Sequence, residues 1–445
     1  MKTDPIPQKI VPAILILALL LGACMSATET PSADTQPGVQ VAESKLARLT
    51  NPQVPKSDLQ TLAAGNRAFT ADLYNKLREK DGNLIFSPYS ISLALAMTYG
   101  GARTETAGQM ADTLHFLLPE ESLHPAFNAL SQYLETLAQP PSSPQPTPTG
   151  EPPKGLQLDI ANSIWGQKDF DFQQAYLDLL AQNYGAGLRL VDFNADAEAA
   201  RQQINDWVSQ QTQDKIQDLF PQGSLDANTR LALVNAIYFK ASWMNAFNAD
   251  QTQPDVFHLK DGSQVSVPTM SSGEAAKFYA RGTDYQVVGL PYLGNQSMMV
   301  ILLPDQGKFD QVEASLDSQQ LNAVLNSLQN REIELSMPKF KIESQFSLPK
   351  TLAAMGMPVA FDPTQADFSG MDGRRDLFIS QVMHKAFVNV DESGTEAAAA
   401  TGVAMSLTAV QETISVDVDR PFMFFIYEPT HGTILFAGRV LNPTQ

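Results

Sequence analysis

The first half of the chain repeats apolar residues every three or four positions, which is the spacing of helices that bury one face. In residues 57–80, for example, Leu62, Phe69 and Leu73 fall near one side of the predicted helix. The same spacing predicts three more helices, at residues 90–99, 105–114 and 197–211. The first of these has a Ser-Pro-Tyr-Ser start, whose hydroxyls can cap the helix.

The second half of the chain changes to short apolar runs that predict β-strands. Residues 230–239 (RLALVNAIYF) are apolar almost throughout, which predicts a strand covered on both faces. Similar runs predict further strands at residues 285–290, 297–303, 332–338, 382–390, 422–428 and 434–440. Because helices come first and strands follow without regular alternation, the sequence predicts an α+β fold with a mostly antiparallel sheet.

The first 23 residues have the pattern of an export signal. Lys2 and Lys9 precede an apolar run at residues 10–21, which is too short to span a bilayer. The ending Leu-Gly-Ala-Cys resembles a bacterial lipoprotein signal, in which the peptide is cut before the cysteine and the thiol of Cys24 carries the lipid. That resemblance implies lipid anchoring to the membrane of the bacterial cell envelope, on its periplasmic or extracellular face. An ordinary secretory signal with a chance cysteine is the alternative.

Two other segments lack apolar periodicity. Residues 24–56 are rich in Ser, Thr, Ala, Pro and Gln, which predicts a flexible tether. Residues 139–155 (QPPSSPQPTPTGEPPKG) are dense in proline, which cannot donate to a strand ladder, so a surface insert is predicted there. A spacer is the default role for this insert.

Charge and composition narrow the function classes. Lys and Arg total 30 against 48 Asp and Glu, a net charge of −18, which disfavours binding to nucleic acid through a basic face. Cys24 is the only cysteine, so neither an intrachain disulfide nor a cysteine-based metal cluster can form. The five histidines are scattered without the spacing of a helical zinc site, and we expect no metal and no cofactor.

The motifs of common enzymes are missing from the sequence. We find no nucleophile elbow, no zinc-protease motif and no phosphate-binding loop, so we expect a protein that is not an enzyme and has no catalytic residue. His384, in the strand-like run VMHKAFVNV, is a conceivable general base. An interior histidine held by hydrogen bonds is the more frequent role for such a residue.

The most informative stretch is residues 388–421. Its alanine-rich part, from Glu396 to Ala400, could form a short helix, but isolated helices of that length are marginal. As a strand, every second residue from Thr395 to Met405 would form one increasingly apolar face, and the residues between them a small or polar face. No proline interrupts this run, so each backbone N–H could join a sheet.

From about residue 57 to residue 445 the chain resembles the serpin family. Eight motifs, in the family's order, carry the resemblance: NLIFSPYSISLALAMTYGGARTETAGQM (83–110), IANSIWGQ (160–167), INDWVSQQTQDKIQDLF (204–220), RLALVNAIYFKASWMNAF (230–247), LPYLGNQSMMVILLP (290–304), ADFSGM (366–371), HKAFVNVDESGTEAAAATG (384–402) and RPFMFFIYEPTHGTILFAGRVLNP (420–443). The resemblance implies one serpin domain over 57–445, with three β-sheets, about nine helices and an exposed reactive loop near the C-terminus.

The resemblance also implies a function. In the family a serine protease attacks the exposed loop and forms an acyl-enzyme, and the cut loop then inserts into the main sheet as a new strand. We therefore expect a monomeric, irreversible suicide-substrate inhibitor whose partner is a serine protease, held as a covalent acyl complex. A non-inhibitory serpin, such as a chaperone or carrier, and an inhibitor of papain-like cysteine proteases are the alternatives.

The resemblance places the scissile bond near the end of the loop. Counted from the start of the hinge, the bond is Thr408–Ala409. Counted back from Arg420–Pro421, it is Val410–Gln411, so Val410 and also Leu407 remain alternatives. None of these residues is Arg or Lys, so we expect targets with elastase-like or subtilisin-like pockets, while Leu407 leaves a chymotrypsin-like target open.

Two further groups of residues follow from the resemblance. The hinge, which must enter a parted sheet without clashes, comprises Glu392, Gly394, Thr395, Ala397, Ala398, Ala399, Ala400 and Thr401. A polar cluster that controls strand separation comprises Ser87, Ser90, Asn235 and His384. Helix capping or ordinary hydrogen bonding inside the core is the alternative role for each member of the cluster.

Overall fold

A computed structural model describes Met1 and residues 39–137, 156–273, 275–395 and 413–445. Within these residues lie ten α-helices and two short 3-10 turns. The helices are α1 Lys56–Leu77, α2 Pro88–Tyr99, α3 Thr104–Leu114, α4 Glu120–Leu137, α5 Gln174–Tyr184, α6 Phe193–Gln211, α7 Phe309–Ala314, α8 Ser318–Ser327, α9 Pro349–Met355 and α10 Ser369–Asp372.

The same residues form eighteen strands. They are β1 Gln40–Ala42, β2 Leu84–Phe86, β3 Gln157–Gln167, β4 Leu188–Val191, β5 Leu231–Ser242, β6 Gln253–His258, β7 Gln264–Ser272, β8 Phe278–Gly282, β9 Tyr285–Pro291, β10 Met298–Pro304, β11 Gln329–Asn330, β12 Ile333–Pro338, β13 Phe340–Ser347, β14 Ile379–Asp391, β15 Gly394–Thr395, β16 Ile414–Asp417, β17 Phe422–Glu428 and β18 Thr433–Val440.

The strands make three sheets. Sheet A has the order β1-β4-β3-β5-β15-β14-β13, sheet B the order β11-β8-β9-β10-β17-β18-β2, and sheet C the order β16-β12-β7-β6. Most neighbouring strands are antiparallel, but β3–β4, β5–β14 and β12–β16 are parallel. The predicted α+β class with three sheets is confirmed, and the described residues hold ten α-helices where about nine were expected.

Helix α2 lies at the centre of the fold because its sequence is apolar on every side. It packs against β3 and β5 of sheet A and against β18 of sheet B. Its start is fixed by Ser87, whose hydroxyl oxygen accepts from the backbone N–H of Ser90 at 3.1 Å, and by Pro88 in the first turn. The two sheets and α2 thus enclose the main apolar core.

A second, smaller apolar cluster covers the other face of sheet A. Trp165 of β3 packs against Trp207 of α6 with ring centroids 5.9 Å apart, and the residues after α6 continue the cover over β5. Sheet A is therefore covered on both faces near its centre, which is the reason that residues 230–239 are apolar without alternation. The strand itself runs on to Ser242, because Ala241 and Ser242 pair with β15.

Part of the predicted tether is bound to the folded protein. Residues 39–49 contact the domain: β1 pairs with β4 at the edge of sheet A, and the guanidinium of Arg48 donates to Asn128 Oδ1 at 2.8 Å and pairs with Glu135 at 2.7 Å. Short polar segments of this kind carry no apolar periodicity, so their contacts cannot be predicted from a local pattern. The boundaries of the tether and the domain remain predictions.

Several predicted features lie outside the described residues. These are the signal segment with Cys24, the insert 139–155, the hinge residues Ala397, Ala398, Ala399, Ala400 and Thr401, and the scissile-bond candidates Leu407, Thr408, Ala409 and Val410. Among the helices of the described part, none is long and apolar enough to cross a membrane.

Candidate functional site

The centre of sheet A is a pair of parallel strands that part at one end. Strands β5 and β14 pair directly from Leu231 and Ile379 as far as Tyr238 and Phe387, and we call this pairing the seam. Beyond it the strands diverge, and the two residues of β15 lie between them, antiparallel to both. We call this end the fork.

The two residues inside the fork are the first part of the predicted hinge. Thr395 lies opposite Ala241 of β5 and Val390 of β14, is completely buried, and shares a hydrogen bond of 2.8 Å with the hydroxyl of Tyr292. Gly394 has a φ of +151°, and a Cβ there would lie 2.1 Å from the carbonyl oxygen of Ala241. Only glycine fits this position.

The mouth of the fork is held by Trp243, the first residue after β5. Its indole N–H donates to the carbonyl of Asp391 at 3.0 Å, and its backbone N–H donates to the carbonyl of Ser393 at 3.0 Å. Its ring stacks on Tyr292 with centroids 4.8 Å apart and planes 7° from parallel. The contacts of Trp243 therefore hold the chain that leaves β14 in the turn that leads it back into sheet A.

An ion pair fixes the start of the hinge. Lys339 Nζ lies 2.8 Å from one carboxylate oxygen of Glu392, and Thr252 donates to the other oxygen at 2.7 Å. Burial acts to raise the pKa of Glu392, but the hydrogen bonds from Lys339 and Thr252 outweigh it and leave that pKa below its ordinary value. Burial raises the pKa of the neighbouring Asp391.

The four residues of the predicted polar cluster meet across the seam, on the side of α2. Ser87, Ser90, Asn235 and His384 are all completely buried. The backbone N–H of Ser87 donates to His384 Nε2 at 3.1 Å, and His384 Nδ1 contacts Asn235 Oδ1. The Asn235 amide N–H donates to Ser90 Oγ at 2.7 Å. One hydrogen-bonded network thus joins α2, β5 and β14.

The directions of these bonds fix the state of His384. Because Nε2 accepts from a backbone N–H, the proton must be on Nδ1, which donates to Asn235. Burial lowers the pKa of His384 to about 3, so the imidazole is neutral at ordinary pH. Both ring nitrogens are engaged, so the imidazole has no free lone pair to serve as a general base.

Asn162 of β3 belongs to the same network, although the sequence analysis did not include it. Its Oδ1 accepts from Asn235 at 2.6 Å and from the Ser90 hydroxyl at 3.0 Å, and its amide donates to the Ser90 carbonyl at 3.1 Å. Asparagine is unfavourable in strands, so its presence inside the strand-like run IANSIW was the available signal. With Asn162 the network extends over three strands of sheet A.

The described residues contain no group of three or more His, Cys, Asp or Glu side chains that could hold a metal ion. The site therefore consists of a seam, a fork with a buried threonine, and a hydrogen-bonded network beneath them. A family model described as serpin (serine protease inhibitor) matches residues 64–443. This chain belongs to the serpin family.

Individual proteins agree with the family model. An uncharacterised serpin-like protein of Thermococcus kodakarensis is 34% identical over 442 residues, which cover 97% of this chain and 98% of that protein. The leukocyte elastase inhibitor of Homo sapiens is 36% identical over 395 residues, 86% of this chain and 100% of the inhibitor. The crystal structure of tengpin, a thermophilic serpin in the native state, superimposes with a TM-score of 0.77 at 27% identity, covering 91% of this chain and all of tengpin.

These similarities confirm the expected serpin fold. Serpins are protease inhibitors rather than enzymes in the usual sense, and the family binds target proteases. Of the predicted site residues of this serpin, the structure brings together the polar cluster and places Glu392, Gly394 and Thr395 at the fork. The rest of the hinge and the scissile bond lie outside the described residues.

Proposed function

We propose that this serpin inhibits serine proteases as a suicide substrate. The protease cuts the loop at Thr408–Ala409 and forms an acyl-enzyme with the residue before the cut. The freed loop then enters the fork behind Thr395 and becomes a full strand between β5 and β14. The protease, still attached, is carried along and distorted before it can deacylate.

One observation carries this proposal: β15 already occupies the position of the new strand. Thr395 lies opposite Ala241 and Val390, and both pairings are antiparallel. If the same register continues, Ala398 comes to lie between Tyr238 and Phe387, which are now direct partners across the seam. Both strands give the same register, so a single strand fits between them without a bulge.

The side chains of the loop suit this register. The Thr395 side chain points into the core toward Tyr292, so Ala397, Ala399 and Thr401 would point the same way. Glu396 would point to the opposite face, at the level of Lys240 of β5. Small side chains are required on the core side, because a bulky or charged one would cost several kcal/mol.

The same register gives the polar cluster a role in insertion. Thr401 would arrive between Asn235 and His384, which now bond to each other across the seam. The threonine hydroxyl can both donate and accept, so it can bridge the two side chains after they separate. Opening would then leave no buried polar group without a partner, which would otherwise cost about 1–3 kcal/mol for each group.

The choice of target follows from the residues near the cut. Thr408, Ala409 and their neighbours are small or apolar, which suits elastase-like or subtilisin-like pockets. The similar human protein is named a leukocyte elastase inhibitor, and that name supports an elastase-like target. We expect the inhibitor to act as a monomer.

The location of the protein is a second part of the proposal. Cleavage before Cys24 and lipidation of its thiol would anchor the serpin to the cell envelope. Cells that express the wild-type chain should hold it in the membrane fraction, whereas a Cys24→Ser variant should not be retained there. Equal membrane retention of both chains would contradict anchoring through Cys24.

The inhibitory mechanism is tested by mixing the purified protein with pancreatic-type elastase, subtilisin, trypsin and papain. We expect complexes with elastase or subtilisin that survive denaturing electrophoresis, and none with trypsin. Cleavage of the loop should also raise the thermal midpoint substantially. Complete cleavage with undiminished protease activity would contradict inhibition, and a stable complex with papain alone would favour cross-class inhibition.

A further inference from the structure

Two aromatic rings stack across the seam at the base of the fork. Tyr238 of β5 and Phe387 of β14 have ring centroids 6.3 Å apart and planes 19° from parallel. They lie on the face of sheet A that α6 covers, since the alternate residues Ala236 and Val234 belong to the cluster on that face. Tyr238 is buried and Phe387 is half-buried.

Each ring is also covered by a lysine. Lys215, from the segment after α6, places Nζ 5.4 Å from the centroid of Tyr238, and Lys341 of β13 places Nζ 5.3 Å from the centroid of Phe387. A cation at this distance from an aromatic face is attracted to it. The four side chains form a row across the seam that we call the clasp. Its two rings come from β5 and β14, and its two lysines come from β13 and from the segment after α6.

The clasp lies at the end of the seam next to the fork, where an entering strand would first separate β5 from β14. Tyr238 and Phe387 are the last residues of the seam that pair directly, and Thr395 already separates the strands at Ala241 and Val390. A strand that enters further must therefore part these two rings early. Their strands would move from one strand spacing, about 4.8 Å, to two spacings, about 9.6 Å, which exceeds the range of aromatic stacking.

We propose that the clasp is a latch that limits the rate at which the seam opens, because Tyr238 and Phe387 hold β5 and β14 together until a strand enters. This inference rests on the proposed function, because it assigns a barrier to the insertion step. The stack exists only before insertion. Its loss should accelerate opening and leave the inserted form unchanged.

The experiment uses the full chain and a synthetic peptide of residues 396–408, which can occupy the strand position behind Thr395 from outside. The rate of peptide incorporation is followed on native gels. We expect Phe387→Ala to incorporate the peptide about fivefold faster than wild type, which corresponds to the loss of one aromatic stack. Phe387→Leu should act in the same direction if the alanine variant folds poorly, and Phe387→Tyr, which keeps the stack, should match wild type.

A matched control separates the latch from general loss of packing. Tyr133 on α4 is also half-buried in an aromatic pair, with its centroid 4.4 Å from that of His431, but it lies outside sheet A. Tyr133→Ala should leave the rate of incorporation unchanged. A merely structural role for Phe387 would lower the thermal midpoint of the loop-cleaved form as well, whereas a latch leaves that midpoint at the wild-type value.

The outcomes distinguish this inference from the proposed function. If wild type incorporates the peptide and Phe387→Ala does so at the same rate, the latch is wrong and the insertion mechanism stands. If wild type takes up no peptide and its loop cleavage leaves the thermal midpoint unchanged, the proposed function fails and the latch fails with it. Faster incorporation by both Phe387→Ala and Tyr133→Ala would also overturn the latch.

Discussion

Sheets A and B have the same number of strands, but their centres are built differently. In sheet B, β10 pairs with β17 and β17 with β18, all antiparallel, and the side chains along these strands are almost entirely apolar and buried. In sheet A, the central strands β5 and β14 are parallel, and the seam between them contains Asn235 and His384. Parallel pairing is slightly less stable per residue.

Under the proposed mechanism, this difference explains why sheet A opens and sheet B does not. Separating β10 from β17 would expose apolar surface and break a ladder with nothing to replace it. Separating β5 from β14 breaks a seam that a new strand can restore on both sides, and one end of that strand is already present as β15. The predictions below test this contrast, and in each we expect sheet A to respond differently from the rest of the protein.

The largest effect is expected at the fork. Replacing the fully buried Thr395 with arginine would require an unpaired charge beside Tyr292, which costs several kcal/mol. We expect Thr395→Arg to turn the inhibitor into a substrate, so that the number of serpin molecules consumed per protease inhibited rises at least about tenfold. Titration of elastase activity measures this number.

The conservative variant is the control for that experiment. Thr395→Ser keeps the hydroxyl that bonds to Tyr292 and adds no bulk, so its stoichiometry should stay near that of wild type. If Thr395→Arg forms stable complexes as efficiently as wild type, entry of the loop through the fork is not the inhibitory step.

The next effect compares the two sheets directly. Asn235→Ala removes the acceptor of His384 Nδ1–H and the donor to Ser90 and Asn162, and should lower the stability of the native form by about 2–3 kcal/mol. Ile301→Val in sheet B removes one buried methyl group and should cost about 1 kcal/mol. Denaturant unfolding of the native protein measures both.

Measuring the same two variants in the loop-cleaved form gives a second comparison between the sheets. In the proposed mechanism only sheet A gains a strand, so Ile301→Val should lower the stability of native and cleaved forms equally, whereas Asn235→Ala should change the difference between the two forms. A cost for Asn235→Ala no greater than that for Ile301→Val would show that the network does not hold the seam.

Local sequence patterns predicted the parts of this molecule that depend on short-range order. The apolar run at residues 230–239 predicted a buried strand, and β5 confirms it. The meeting of Ser87, Ser90, Asn235 and His384 was inferred only from the family resemblance, because nothing in their local sequence indicates which residues will be neighbours in space.

The features that were missed depend on tertiary contacts. The pairing of β1 with β4 involves a three-residue strand without periodicity, and the parallel direction of β5–β14 follows from long connections that no local pattern records. Asn162 carries polar groups whose partners come from α2 and β5. Its role becomes visible only when those elements are placed around it.

A smaller effect should appear with pH. The ordinary pKa of histidine is 6.5, and burial lowers that of His384 to about 3, so between these values the unfolded chain binds a proton that the folded chain excludes. The free energy of unfolding is therefore not reduced by this residue above pH 6.5, and it falls as the pH is lowered below that value. Between pH 6.5 and 5 we expect a loss of about 2 kcal/mol from this residue.

The measurement is the free energy of unfolding at pH 7.5, 6.5 and 5 for wild type and His384→Gln. Glutamine does not titrate, and its amide can still donate to Asn235 and accept from Ser87. Its pH dependence over this interval should therefore be flatter than that of wild type. Parallel curves for the two proteins would mean that His384 is protonated without penalty in the native sheet.

The smallest effect is expected at the start of the hinge, where Glu392 pairs with Lys339. The pair is partly exposed, so Glu392→Gln at pH 6 should cost about 1 kcal/mol or less. Because the folded pKa of Glu392 is lowered, this stability is present above its ordinary pKa of 4.5 and is lost as the pH falls below it. The half-buried Asp391, with a raised pKa, acts in the opposite sense, so only the difference between wild type and variant isolates Glu392.

Lys339→Gln should reproduce the loss at pH 6 if the ion pair is its cause, and the double variant should lose no more than either single variant. Lys76→Gln, which removes the more exposed pair between Lys76 and Glu79, is the control and should change little. Thermal midpoints of the native form are measured at pH 6 and 3.5 for wild type and the four variants. A wild-type advantage over Glu392→Gln that is as large at pH 3.5 as at pH 6 would show that the carboxylate charge does not hold the hinge.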